Sequence, residues 1–312
     1  MEIADISLLF QDHYLLLVNK PAGIVIHPTY KHAAGTLWDA LLEYLQQQVP
    51  DDWQPPVRPD DPEWEGAPAE IREMLRAKRT ARYWQEDGLL PRPCLVHRLD
   101  KDTSGIVALA RTENSRRHLV KQFQEHTIRK SYLAVIQAGA DSWALPRVPL
   151  HIIKRSSSGE VIETLNAFDA LPELGVEYLL DGPLQRDPDD RRRCIVGPDG
   201  QEAQTIIRGI AVDNGYALLE VHPITGRTHQ IRAHLAATGY AIVGDQTYAP
   251  MVRLQAEGGL QRQFLHAYSI TLHRYPGNEL TTYRAPLATD LLLWLEQTSP
   301  TLYRAWLNFF NS

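Results

Sequence analysis

Hydrophobic positions along the chain alternate between two periods, and the switch points mark its elements. "SLLF" and "YLLLV", separated by the polar "QDH", predict two extended segments near the start. "NKPAG" (Asn19 to Gly23) reads as a turn, after which "IVIHP" resumes an extended pattern. In "GTLWDALLEYLQQQ" the apolar residues Leu37, Ala40, Leu41, Tyr44 and Leu45 follow helical spacing. Residues 49–66 are dense in proline and acids, which predicts an irregular, exposed stretch. "PAEIREMLRAKRTARYW" then predicts a helix with Pro68 in its first turn. Ile71, Met74 and Leu75 should turn inward, and Arg72, Arg76 and Arg79 should share another face. "GIVALA" reads as a buried strand, "ENSRRHLVKQFQEHT" as a helix anchored by Leu119, Val120 and Phe123, and "SYLAVIQAG" as a strand. Residues 155–204 read as loop-rich; "ALLEVHP" is a strand, and "TGRTHQIRAHLAATG" is a helix stopped by Gly239. No repeat is visible. The pattern predicts one α+β domain spanning residues 1–312, with an insertion at about 48–92 and a C-terminal extension after about 290.

Composition narrows the class. The chain has 312 residues, 44% of them hydrophobic, enough for one large core. Cys94 and Cys194 are its two cysteines, so there is no disulfide framework, and a reducing cytoplasm is expected. The opening residues carry acids and no basic run, unlike a signal peptide. No apolar run approaches the roughly 18 residues of a membrane span. The net charge of −6 speaks against a nucleic-acid partner until its distribution is considered. From Pro91 to Tyr132 nine Lys/Arg face four acids, whereas Asp51 to Glu65 holds six acids and one arginine. Basic charge surrounds "VHRLDKDTSG", and acidic charge lies away from it.

That polar run raises the question of chemistry. Asp, Thr and Ser ahead of a strand ordinarily make turns and caps, which would account for Asp100 and Asp102. A metal site built on D-x-D lacks supporting ligands: His229 and His234 are five apart, not the four that stack two histidines on one helical face. The serine-hydrolase, P-loop and dinucleotide fingerprints are missing. A second cluster, "HPITGRTHQIRAHLAATGYAIVGDQTY", places Arg227, His229, Arg232 and His234 within eight residues, with His229 and Arg232 three apart.

Taken together, "HRLDKDTSG" and "GRTHQIRAHLAATGYAIVGDQTY" resemble the signature motifs of the RluA-type RNA pseudouridine synthases. "NKPAGIVIHP", "RKSYLAVIQ" and "FLHAYSITL…YRAP" are similar to that family's opening, tyrosine-bearing and closing segments, in the same order. The resemblance implies a pseudouridine synthase fold: a mixed, largely antiparallel central sheet flanked by helices and loops. It implies an RNA partner, ribosomal or transfer, and isomerisation of specific uridines to pseudouridine. Asp100 would be the nucleophile or the base that removes a ribose proton. Arg232 would pair with it, and Tyr132 would stack on the base and take part at C5. Arg98 would fill the space left by a flipped uridine or contact it, with His97, Thr103, Arg227 and His229 as further substrate contacts. Thr103 and Ser104 should fix the loop through bonds to backbone, and Gly105 should permit close approach. No cofactor or metal is expected, because the base is both leaving group and returning nucleophile. A soluble cytoplasmic monomer without an N-terminal RNA-binding module is the corresponding expectation. Two alternatives stay open: a catalytically silent RNA-binding protein of the same fold, and a glycoside or nucleoside hydrolase, which would need a second carboxyl group.

Overall fold

The molecule was analysed as a computed structural model that describes residues 7–26, 34–46, 52–138, 142–156, 158–249 and 259–311. Its centre is a mixed, mostly antiparallel sheet of 13 strands among the described residues. From one edge the main path runs through Ser7–Gln11, Leu15–Lys20, Ser104–Thr112, Leu265–His273, Arg129–Ala138, Tyr216–Pro223 and Gln204–Asp213. Glu177–Asp181, His151–Arg155 and Val161–Leu165 complete it. The 104–112 and 265–273 strands run parallel, through His266 opposite Ser104 and Ala267 opposite Gly105.

Alternation along the central strands divides the interior in two. On the 104–112 strand Val107 and Leu109 enter the larger core, whereas Ile106, Ala108 and Ala110 enter a smaller one. Leu16 and Val18 face the larger core, and Leu15 and Leu17 the smaller. Every residue of the 104–112 strand is buried, as the apolar run "GIVALA" requires when both faces are covered. The Glu113–Gln124 helix follows at once and sends Leu119 into the smaller core. Its start is a reciprocal cap: Thr112 Oγ1 accepts from the Ser115 N–H, and Ser115 Oγ accepts from the Thr112 N–H.

The expected α+β class is therefore found, with local departures. "IVIHP" is not a strand where it is described: Val25 and Ile26 accept from the backbone of Leu37 and Trp38, at the start of the Leu37–Gln46 helix. His27 and Pro28 lie outside the described residues. Residues 155–204 hold four short strands, among them the hairpin Leu184–Arg186 and Cys194–Val196, so the segment is less loop-like than expected. Polar turn residues hid strands only three to five residues long. Helices Thr289–Thr298 and Pro300–Asn311 bury Leu291, Trp294, Leu295, Leu302 and Trp306 in the larger core. The end of the chain thus covers the sheet.

In the insertion the predicted helix is Ala69–Asp87, but Ile71 and Met74 are exposed rather than packed inward. The helix is held instead by polar and aromatic contacts. Arg76 makes a two-pronged bond to Asp60 at 2.7 and 2.6 Å, and Arg79 donates to the carbonyls of Arg58 and Pro59. Trp84 meets Trp53 edge-on, and Trp53 stacks on His13. Two of the three arginines on the basic face are thus spent on the acidic stretch.

Candidate active site

The polar run before the 104–112 strand forms a loop fastened from both sides. Lys20, fully buried, donates to the carbonyls of Pro21, Ile24 and Lys101 at 2.8, 3.0 and 2.9 Å. Burial lowers its pKa to about 7, against the pull of Asp102. Arg262, forked onto Asp290, donates to the Asp102 carbonyl at 3.1 Å and to Ser104 Oγ at 3.2 Å. Two basic side chains therefore grip the carbonyls of the two residues that follow Asp100. Thr103 and Ser104 do fix the loop, but through side chains instead of backbone: Gln263 donates to Thr103 Oγ1, and Ser104 Oγ meets His266 Nδ1 at 2.9 Å. The expected bonds to backbone give way because the 262–266 segment lies directly alongside. Gly105 has φ +116°, and a Cβ there would lie 2.2 Å from the Ala267 carbonyl oxygen, so the close approach is real.

Asp100 Oδ2 accepts from Arg232 Nη1 at 3.1 Å, and Oδ1 has no hydrogen-bond partner among the described residues. Arg232 is aimed by the far side of its guanidinium: Nε and Nη2 bond the two oxygens of Asp245 at 2.7 and 2.9 Å, and Nη2 also reaches Thr247 Oγ1. Asp245 is wholly buried and accepts further from the N–H groups of Thr247 and Tyr248. Burial opposes the charge of Arg232, but Asp245 and then Asp100 outweigh it and hold its pKa above the ordinary value. The result is a fixed cation that presents one N–H pair to Asp100.

The helix that carries Arg232 is shorter than the pattern predicts, Gln230–Ala237, because His229 adopts a left-handed backbone with φ 54°. That turn brings His229 Nε2 to 3.9 Å from Asp100 Oδ2, with Nδ1 3.3 Å from the Tyr248 hydroxyl. Burial and then Arg232 lower its pKa, so the imidazole is largely neutral at pH 7. Tyr132, from the middle of the 129–138 strand, is buried opposite Val221 and Ala267. Its phenol is pushed well above the usual range by burial and by Asp100, so it stays protonated.

Asp100, Tyr132, Arg232, His229 and Arg98 line one cavity of about 420 Å³, within the roughly 300–1,000 Å³ of small-ligand sites. Arg98 is exposed there and bonds Thr228 Oγ1 at 2.9 Å. Arg227, also exposed, donates to the Glu202 carbonyl. His97 borders the cavity but accepts the Ala108 N–H at 2.9 Å and stacks on Phe123. Burial, then Lys130, pushes its pKa down to about 3, so it ties the loop to the strand as a neutral acceptor. Sequence reasoning gave no role to Lys20, Lys130, Asp245 or Arg262. Lys20 and Asp245 stood inside the quoted stretches "NKPAG" and "GDQTY", whereas nothing around Arg262 singles it out. Lys130 lines the cavity two positions before Tyr132, its pKa lowered by burial and its ammonium without a hydrogen-bond partner among the described residues.

The model of the RNA pseudouridylate synthase family matches residues 14–237. The chain belongs to that family. The matched span holds Lys20, Asp100, Tyr132 and Arg232, while Asp245 and Arg262 lie beyond it. Among curated relatives of this synthase family, an uncharacterized RNA pseudouridine synthase of Chloroflexus aurantiacus is 36% identical over 279 residues, covering 89% of this chain and 65% of that one. Ribosomal large subunit pseudouridine synthase D of Nitrosomonas europaea is 27% identical over 299 residues, covering 95% of this chain and 66% of its own. The chain thus spans about two thirds of the length of these two relatives. A solved structure, human RNA pseudouridylate synthase domain containing 4, shares the synthase fold with a TM-score of 0.53 at 20% identity, over 94% of this chain and 92% of that one.

Proposed function

We propose that the protein isomerises uridine to pseudouridine in RNA, with Asp100 as the reacting carboxylate. The observation that carries this is the Asp100–Arg232–Asp245 array at the wall of the cavity bounded by Tyr132. The reaction breaks the N1–C1′ bond, turns the uracil and joins C5 to C1′, with the C5 proton lost and a proton gained at N1. Asp100 attacks C1′ or removes a ribose proton as a carboxylate, with Arg232 donating to its Oδ2 at 3.1 Å. With Oδ2 held by Arg232, Oδ1 is the oxygen left to react. Tyr132 supplies a rigid ring against which the uracil stacks and turns. A stacked uridine cannot reach Asp100, so it must flip out at a cost of a few kcal/mol, with Arg98 at the cavity beside the vacated position.

Ribosomal RNA is the favoured substrate over transfer RNA. What supports this is the naming of relatives, from Nitrosomonas europaea and Pasteurella multocida among others, for the ribosomal large subunit. The test is incubation of wild type and Asp100→Asn with unmodified large-subunit ribosomal and transfer RNA transcripts, followed by mapping of pseudouridine. Wild type is expected to modify discrete ribosomal uridines, and Asp100→Asn none. Equal modification by both proteins would remove Asp100 from the chemistry. RNA binding without pseudouridine would identify a silent member of the fold, and release of free uracil a hydrolase.

A further inference from the structure

A second groove, of about 440 Å³, opens off the cavity and shares Arg98, Gly226, Arg227 and Thr228 with it. Its far wall is the hairpin of strands 184–186 and 194–196, through Gln185 and Arg186. The tip of that hairpin, "RDPDDRRR", carries charges of both signs, and the structure sorts them. Asp187, wholly buried, binds Arg147 at 3.1 Å and Arg193 at 2.6 Å. Asp189 takes Arg147 at 2.9 Å, and Asp190 takes Arg192 at 2.7 Å. The three acids are thus matched by arginines that do not line the groove. Arg186, which does, has no carboxylate within ion-pair distance among the described residues, and the same holds for Arg98 and Arg227.

Each of these three guanidiniums is oriented by one neutral acceptor. Arg186 donates to the Arg191 carbonyl at 3.2 Å, Arg227 to the Glu202 carbonyl at 3.1 Å, and Arg98 to Thr228 Oγ1 at 2.9 Å. The remaining N–H groups are left for a ligand. One acid, Asp199, also lines the groove, so the lining carries three positive charges against one negative. The charge of Arg186 is felt inside the cavity as well: burial and Arg232 lower the pKa of His229, and Arg186 lowers it further. A positively lined trough that begins where the target nucleotide is held suits a polyanion continuous with that nucleotide. The insertion helix, by contrast, has already committed Arg76 and Arg79 to residues 58–60.

We propose that this groove seats the RNA strand on one side of the target uridine, its phosphodiesters held by Arg186 and Arg227, with Arg98 at the junction. The assignment rests on RNA being the substrate. Arg186 is a binding residue here, reached by the strand outside the reacting cavity.

The experiment measures binding of a fluorescent oligouridylate, long enough to span cavity and groove, at several salt concentrations. The proteins are wild type, Arg186→Gln, Arg186→Lys and Arg192→Gln, the last removing an arginine paired outside the groove. Arg186→Gln is expected to raise Kd roughly three- to tenfold and to reduce the salt slope by about 0.7, the value for one phosphate contact on a single strand. Arg186→Lys should keep the wild-type slope, and Arg192→Gln should match wild type in both quantities. A second oligouridylate, with uncharged methylphosphonate linkages beside one central uridine, should bind wild type more weakly but should not distinguish it from Arg186→Gln. The groove assignment is overturned if Arg186→Gln binds the charged probe as wild type does, or if Arg192→Gln shows the same losses. If wild type shows no salt-dependent binding at all, the RNA reading beneath it falls too.

Discussion

Replacing Arg232 with methionine removes the cation standing between two carboxylates. Asp245 would keep its charge in a wholly buried position, with only the N–H groups of Thr247 and Tyr248 to satisfy it among the described residues. Breaking a buried pair in this way costs about 3–5 kcal/mol, on the order of 5–10 °C in melting temperature for a chain of this size. Asp245→Asn is expected to cost a similar amount, because one amide N–H would then oppose the N–H groups of Arg232. The combined Arg232→Met/Asp245→Asn variant removes both charges. Its loss of stability should fall short of the sum of the single losses by about 2–3 kcal/mol, the scale of coupling between groups in direct contact. Turnover should not follow stability. Asp100 loses Arg232 in the single and in the double variant, so both should fall at least a hundredfold in kcat, about 2.7 kcal/mol of barrier. Lys121→Met is the control: Lys121 lies 3.8 Å from Glu125 on an exposed helix face, a contact of about 0–1 kcal/mol. Urea midpoints and single-turnover rates supply the two readouts. Strictly additive stability losses, or a double variant that turns over like wild type, would refute the view that Asp245 aims Arg232 at Asp100.

Three further outcomes are expected. His234 and His266 have no exposure, and burial drives the pKa of each down to about 4, whereas the unfolded chain binds these protons near pH 6.5. Their contribution is fully present above about pH 6.5 and is lost as pH falls toward 4, at about 2.7 kcal/mol per pH unit for the pair; urea midpoints that stay flat from pH 7 to 4.5 would contradict this. Gly105→Ala should abolish activity and lower the melting temperature, because its Cβ would lie 2.2 Å from the Ala267 carbonyl oxygen at a φ of +116°; a soluble, fully active variant would show that the two strands can separate there. A triple Arg72→Gln, Arg76→Gln, Arg79→Gln variant should bind oligouridylate with the wild-type salt slope, since Arg76 and Arg79 already hold residues 58–60; a slope reduced by two units or more would return this helix to the RNA interface.

The parts of the fold written in hydrophobic period were legible from residue order. The 104–112 strand, the helix after it and the 129–138 strand stand where alternation and helical spacing put them. The 155–204 segment failed that reading because its strands are too short to show a period. The helix over residues 71–75 misled for a different cause: apolar spacing states which residues share a face, and says nothing about whether anything covers it. In the site, Asp100, Tyr132 and Arg232 were legible through the motifs that hold them, and the structure brings all three to one cavity. Asp245, Lys20 and Arg262 act through contacts 13, 81 and 160 positions away in the chain, and no local pattern encodes such pairings. His97 shows the converse: a histidine beside the key aspartate looked like a substrate contact, yet its acceptor nitrogen is occupied by a strand amide.

The double grip on the Asp100 loop also bears on when the site comes into being during synthesis. Lys20 is made early and can wait for the loop, but Arg262 and Gln263 follow Asp100 by about 160 residues. Arg232 and its own anchor, Asp245, also emerge well after Asp100. Contacts of such long range form late, after the loops between them have closed. A nascent chain therefore carries its aspartate on an unshaped segment until most of the sheet has been translated and paired. Asp100 reaches its final setting only after residue 262 has been made, and a product ending before that residue would display the motif without the contacts that shape it.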